Sequence, residues 1–526
     1  MIRRRVARNT LSNYAATAAV LGVGFVITPL ILNLLGPAQY GLWVLVSSVT
    51  AYGTLLNMGI GTALVKYVAE LNIRGQAAQA QPLIATALWM FIAVGAGILG
   101  LTLALALVFP FVFHVEPRDL GSVRLLVIVS GLAVASSVTM GVPVGVLQGL
   151  QRFERVNLLS TLNLLLSSLA GLAVLGLGGG VTGFAAAGIP ITLAMQALGH
   201  ALIRRTAPDY AITWHGTKRD LARKILGYSW SMLLLDTTER IKLKSDEVVV
   251  GALMPMASVT PYYLARRLAE IPKMLTLQFQ KVLMPLASEL NASDDPARVK
   301  SVFLTGTRLT LAIFCATGVT IACLAQPALT LWVGHIYASS WPIVAVLVCA
   351  GFFELCQYPA GAVLQGMARH KPLAIIAVPF AAANVILSVL FIQRMGSIGA
   401  AFGTLIPATI ETFALVLPFT VRAIGVPARS LVRDAFVPTL LPAIPAAILL
   451  IGLQQAVNLA TWPLLLGAGC LGVCVYGFVY VCFGATSDER RSYQALAASM
   501  VDRMLGRGRR KSGQRTLAEK PITEDG

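Results

Sequence analysis

Eleven ionisable side chains fall within one otherwise apolar part of the chain. They are Asp236, Glu239, Arg240, Lys242, Lys244, Asp246 and Glu247, followed by Arg266, Arg267, Glu270 and Lys273. Each charge at the centre of a lipid-facing helix costs about 2.5–3.5 kcal/mol to insert. The stretch therefore either leaves the bilayer or lines a water-filled cavity within it, and the spacing favours the cavity. Arg266, Glu270 and Lys273 stand at i, i+4 and i+7, on one face of a helix. Asp236, Glu239, Arg240, Leu243 and Glu247 share a face of the preceding helix, while Lys242, Lys244 and Asp246 spread beyond it. At about 1.5 Å per residue, Arg240 and Arg266 come out near the same mid-membrane depth.

Cations so placed suit an anionic group such as phosphate or pyrophosphate, held by charge-assisted hydrogen bonds. The candidate substrate-binding set is Arg240, Lys242, Lys244, Arg266, Arg267 and Lys273. The carboxylates Asp236, Glu239, Asp246, Glu247 and Glu270 would hold these cations while the cavity is empty, or respond to a coupling ion. Alternatively, all these charges mainly neutralise one another in a buried ion-pair network. Glu354 and Glu411 each lie about halfway down an apolar span. They suit a proton or cation site, or equally a neutral acid bonded to a neighbouring helix.

Other chemistries find no footing. There is no Gly-x-x-x-x-Gly-Lys-Ser/Thr phosphate loop and no His-Glu-x-x-His pair among the five histidines. The seven cysteines lie in or beside apolar runs without metal-ligand spacing and read as free thiols. Asp294-Asp295 reads as a turn or helix cap. Neither a cofactor nor a metal is expected. A membrane glycosyltransferase or polymerase would need an acidic metal motif or a large outer loop, and the sequence has neither.

These charges must be positioned by membrane helices. Of 526 residues, 56% are hydrophobic and 12% charged, against about 25% charged in soluble domains. The expected fold is an all-α polytopic membrane protein of about fourteen transmembrane helices in two homologous bundles around a central cavity. Windows of about 20 apolar residues place spans near 11–35, 42–66, 83–109, 122–146, 156–178, 183–203, 225–250, 258–284, 302–324, 342–364, 373–392, 397–420, 436–453 and 463–484.

Alternate loops carry nearly all the cations, from Arg3, Arg4 and Arg5 through Arg204 and Arg205 to Arg422 and Arg429. The opposite side holds little beyond Arg118, Arg124 and Arg394. This asymmetry puts both termini in the cytoplasm. The net charge of +18 thus reflects topology and anionic membrane lipids, not nucleic acid.

Pro110, Leu147-Gln148-Gly149 and Ile189-Pro190 recur 217 residues later as Pro327, Leu364-Gln365-Gly366 and Ile406-Pro407. An even number of spans per repeat makes the halves parallel. The expected organisation is a first bundle over 1–203, a basic linker over 204–224 and a second bundle over 225–420. Two further spans occupy 421–485, and a basic tail with Arg503, Arg507, Arg509, Arg510 and Lys511 occupies 486–526.

Thr28-Pro29-Leu30 leads into Leu35-Gly36-Pro37-Ala38-Gln39-Tyr40-Gly41-Leu42-Trp43, and Asn57-Met58-Gly59-Ile60-Gly61 runs on to Ala69-Glu70. These segments resemble the opening of polysaccharide-biosynthesis flippases of the Wzx type, in the multidrug/oligosaccharidyl-lipid/polysaccharide exporter superfamily. Ser245-Asp246-Glu247-Val248-Val249-Val250-Gly251 is similar to that family's seventh-span stretch, and the resemblance extends to about residue 485. It implies two bundles in a V, alternating access and a cation-rich central cavity, while the missing catalytic motifs make an enzyme unexpected. It also implies an undecaprenyl-pyrophosphate-linked glycan as cargo, moved across the bacterial inner membrane, with a glycan polymerase or other polysaccharide-assembly protein as partner. A lipid II-type precursor flippase and a cation-coupled drug antiporter of the same superfamily are the alternatives.

Overall fold

The computed structural model describes the backbone of residues 2–57, 59–292, 296–367, 371–487 and 489–491, and their side chains except at 2–16, 56–57, 228–243, 278–292, 296, 366, 371 and 374. Among the described residues every regular element is a helix. Hydrocarbon offers no partner to a backbone amide, so each span must close its hydrogen bonds internally.

The first bundle consists of α1 (Ile2–Ala51), α2 (Ile60–Ile73), α3 (Ala80–Val112), α4 (Leu120–Thr139), α5 (Gly141–Gly149), α6 (Phe153–Gly176) and α7 (Gly180–Thr206). The second begins with α8 (Arg219–Leu253), α9 (Val259–Ala292), α10 (Pro296–Cys323) and the short α11 (Ala325–Val333). It continues through α12 (Trp341–Gly366), α13 (Lys371–Met395), α14 (Ser397–Ile410) and α15 (Leu417–Ile424). A π-helical turn, Glu411–Val416, joins the last two. Four more helices complete the chain: α16 (Ala428–Leu431), α17 (Val437–Leu440), α18 (Ala443–Ala456) and α19 (Trp462–Val479).

Among the described residues, eleven helical stretches are long and apolar enough to cross a membrane. Two further helices, α8 and α9, carry the charge run, so hydropathy passes over them. At 1.5 Å per residue their 35 and 34 residues reach about 50 Å, ample for a bilayer. The remaining crossing is hidden by continuity. α1 breaks at Gly36, whose φ of 75° and ψ of 170° are open to a residue without Cβ. The chain beyond it runs on through Tyr52–Asn57 into α2. Among the described residues this gives fourteen helical stretches long enough to cross, each overlapping an expected window.

The 217-residue offset reappears in the helices themselves, α7 beginning at Gly180 and α14 at Ser397.

Two ends of the molecule differ in how the bundles meet. Away from the basic loops, one continuous core joins them. It includes Tyr40, Val44 and Leu45 of α1, Phe109 of α3, Val250 of α8, Tyr262 and Ala265 of α9, Trp332 of α11 and Val344 of α12. Towards the basic loops the cores are separate. One gathers Leu64, Ile84, Phe91, Val142 and Leu159 in the first bundle, the other Phe303, Cys356, Val363 and Leu417 in the second. The exception is α8, which inserts Ile225 into the first bundle's core near its own start. Among the described residues the molecule is thus sealed at one end and divided at the other.

Candidate functional site

α8 and α9 are antiparallel neighbours joined by the turn at 254–258, so distance from that turn sets depth. Arg266 lies seven residues into α9, and Asp246 lies seven residues before the end of α8. The two face each other near the sealed end. Arg240 is thirteen residues before that end, level with Lys273 instead. The expectation that Arg240 and Arg266 share a depth is therefore corrected, because the turn falls closer to Arg266 than to Arg240.

Arg266 is 8% exposed and is tied by three carboxylates. Its Nη1 donates to Glu247 Oε2 at 3.1 Å and lies 3.6 Å from Asp246 Oδ2, while its Nε donates to Glu270 Oε1 at 3.0 Å. Asp246 Oδ2 also accepts from the Tyr262 hydroxyl at 2.7 Å and from Thr404 Oγ1 at 2.9 Å. Its other oxygen, Oδ1, is buried without a hydrogen-bond partner. Next to it, Ser245 Oγ donates to Asn384 Oδ1 at 3.0 Å, and Asn384 Nδ2 donates to Thr404 Oγ1 at 3.0 Å and to the Gly403 carbonyl. This chain of bonds pins α8 to α13 and α14.

Removing one link should be felt modestly. Interhelical hydrogen bonds in membranes are worth about 1 kcal/mol. Thr404→Val is therefore expected to lower unfolding stability by about that much, read by denaturant titration of the purified protein, with helix content unchanged.

Deeper along α9, Lys273 pairs with Glu354 of α12. Two adjoining clefts share Lys273, Glu354 and Thr404 as walls. Asp246, Arg266 and Glu270 line the upper one, Asn384 and Glu411 the lower. Glu411 is 3% exposed and opens the π-helical turn, a local widening common at functional positions.

Among the described residues, four carboxylates and two cations therefore line these clefts, and each cation is already engaged. The resemblance implies a cation-rich central cavity, and the side chains of two of its candidate cations, Arg240 and Lys242, lie outside the described residues. Arg266 and Lys273 sit among acids because helical spacing on α9 and facing positions on α8, α12 and α14 bring those acids to them.

Arg267 is placed elsewhere. Consecutive helix positions differ by about 100°, so it leaves the clefts and points to the seam with α1. Its Nη1 donates to the Tyr263 hydroxyl at 2.9 Å, its guanidinium stands 6.0 Å from that ring's centroid, and it packs over Gly24. Lys244 is half-buried on α8 within electrostatic reach of Glu247. The side chains of Asp236, Glu239, Arg240 and Lys242 lie outside the described residues, as do Asp294-Asp295 and the tail cluster from Arg503 to Lys511.

Sequence reasoning missed Ser245, Tyr262, Asn384 and Thr404. The one usable signal was Asn384, an amide within an apolar span, where polar residues commonly bond across helices.

A family described as "Polysaccharide biosynthesis protein" matches residues 31–342, more than half of the chain. The chain belongs to that family. One relative, "Probable flippase AglR" of Haloferax volcanii, is 25% identical over 440 residues, covering 82% of this chain and 87% of the relative. The fold is that of solved transporters. A structure described as "Lipid II flippase MurJ, inward closed conformation" superposes with a TM-score of 0.71 at 12% identity, covering 93% of this chain and 100% of that one. An inward-facing multidrug resistance MATE family transporter of the MOP superfamily follows with a TM-score of 0.59 at 16% identity, covering 79% and 94%. This polysaccharide biosynthesis family member thus carries the two-bundle fold of the MOP superfamily.

Proposed function

We propose that this chain is a flippase for a polyprenyl-pyrophosphate-linked saccharide, carrying the polar head across the membrane by alternating access. Residues 1–203 and 225–420 would be the two moving units. The basic loops and both termini would face the cytoplasm of a bacterium, and the sealed end would face outward. Arg267 carries this reading. It stands at the seam between the bundles with a tyrosine hydroxyl as hydrogen-bond partner, and among the described residues no carboxylate lies within 4 Å of it. A guanidinium bonded to a neutral hydroxyl, with no carboxylate in direct contact, keeps donors for a pyrophosphate. Arg266 and Lys273, held by carboxylates, would engage the head only as those pairs exchange partners.

Both saccharide cargoes under consideration present that pyrophosphate. Full-length superposition on a lipid II flippase supports the peptidoglycan-type precursor. Family membership and the AglR relative support an oligosaccharide unit. The excess of carboxylates in the clefts supports a second reading, a cation-coupled antiporter of small molecules.

Proteoliposomes separate these readings. Fluorescent lipid II, a fluorescent polyprenyl-pyrophosphate oligosaccharide and a cationic dye would be tested in turn. One of the two lipids is expected to change leaflets. Arg267→Gln is expected to slow that movement about tenfold to a hundredfold, the worth of a charge-assisted hydrogen bond. Dye export without movement of either lipid would replace the flippase with the antiporter.

A further inference from the structure

α1 is irregular at two places, and at each a side chain of the second bundle takes one of its carbonyls. The first is Pro29. Proline has no N–H, so the carbonyl of Phe25, four residues earlier, loses its helical partner. The indole Nε1–H of Trp332 donates to that oxygen at 2.7 Å. Trp332 belongs to α11 and is 6% exposed. Its ring stacks on that of Phe25 with centroids 4.9 Å apart and 4° between planes, and Trp462 of α19 meets Phe25 edge-on at 5.5 Å. The second place follows the break at Gly36, where Thr260 Oγ1 of α9 donates to the Pro37 carbonyl at 2.7 Å.

A carbonyl without a donor is costly where water is scarce. While the sealed end is closed, the second bundle supplies the donor that Pro29 withholds. Parting the bundles at that end strips it away, so the bond's full value acts on one side of the conformational equilibrium. A contact shifts such an equilibrium only by its difference between states, and this contact exists in one state alone.

We propose that Trp332 is a positioning residue of the transport cycle: by clasping the Phe25 carbonyl freed by Pro29, it holds the molecule sealed at the end opposite the basic loops. The inference rests on alternating access but on no particular cargo.

The test needs no cargo. With the seven cysteines replaced by serine, Val44→Cys puts a thiol in the core shared by the bundles, at a site 2% exposed. Its labelling by a membrane-impermeant maleimide reports opening of the sealed end. Trp332→Phe keeps a stacked ring and deletes the donor, and should raise the labelling rate about tenfold. In a Pro29→Ala background the backbone N–H regained at that position can bond the Phe25 carbonyl, so the same substitution should raise it less than about twofold. Gel filtration and helix content establish that each variant is folded. Unchanged labelling in Trp332→Phe, or an equal rise in both backgrounds, overturns the clasp. Because no lipid cargo is present, either result stands apart from success or failure of the flippase assay.

Discussion

Arg266→Leu should cost the folded protein about 3–5 kcal/mol, the usual penalty for stripping one partner from a buried ion pair. Asp246 and Glu247 are each 1% exposed, and the substitution would leave both without their guanidinium. Tyr262 and Thr404 would still donate to Asp246, but hydroxyls carry no charge to balance it. Thermal unfolding in detergent would read the loss. Adding Glu247→Gln should recover part of it, since one of the uncompensated charges then disappears. Arg266→Lys should fall between, because a single ammonium cannot match three acids from the fixed fork of a guanidinium. If Arg266→Leu unfolds like the parent, the network is not a structural joint, and Arg266 returns to the front as a group that merely waits for cargo.

Gly41→Val should slow transport sharply while sparing each bundle. A Cβ at Gly41 would sit 2.5 Å from the Met256 carbonyl oxygen and 3.0 Å from Thr260 Oγ1. The first is backbone at the α8–α9 turn and cannot rotate away. Closing the sealed end around a valine forces α1 off the turn, at a cost of about 1–3 kcal/mol or more for an overpacked contact. Net flipping in proteoliposomes should fall at least about tenfold. Maleimide labelling of Val44→Cys should rise together with that loss. A Gly41→Val protein that transports at the parental rate would mean that the turn yields and that the close approach at this seam is incidental.

The spans were legible because a bilayer imposes length and apolarity on them, and the charge run in α8 and α9 was legible because it violates that rule. Arg266, Glu270 and Lys273 reveal themselves by spacing alone. What each of them meets could not be read. Glu354 reaches Lys273 across 81 residues of chain and Thr404 reaches Asp246 across 158, and periodicity within one helix carries no information about a neighbour. The same limit hid the separation of Arg267 from Arg266. Adjacent in sequence, they serve different surfaces, and only the position of α1 decides what Arg267 touches. A proline at position 29 leaves the Phe25 carbonyl without its helical donor. The donor, 307 residues further on, had no local trace.

α8 belongs to both bodies. Ile225 is buried in the first bundle's core, with the Lys224 ammonium 4.6 Å from the centroid of the Tyr67 ring. About twenty residues on, Ser245 and Asp246 are bolted to Asn384 and Thr404. That leaves about 30 Å of helix between two fixings, too short and too stiff to lengthen. It ties the two bodies together lengthwise, from the divided end to the sealed one. However far the basic loops spread, neither body can part from the other without swinging or bending this span, or breaking an anchor.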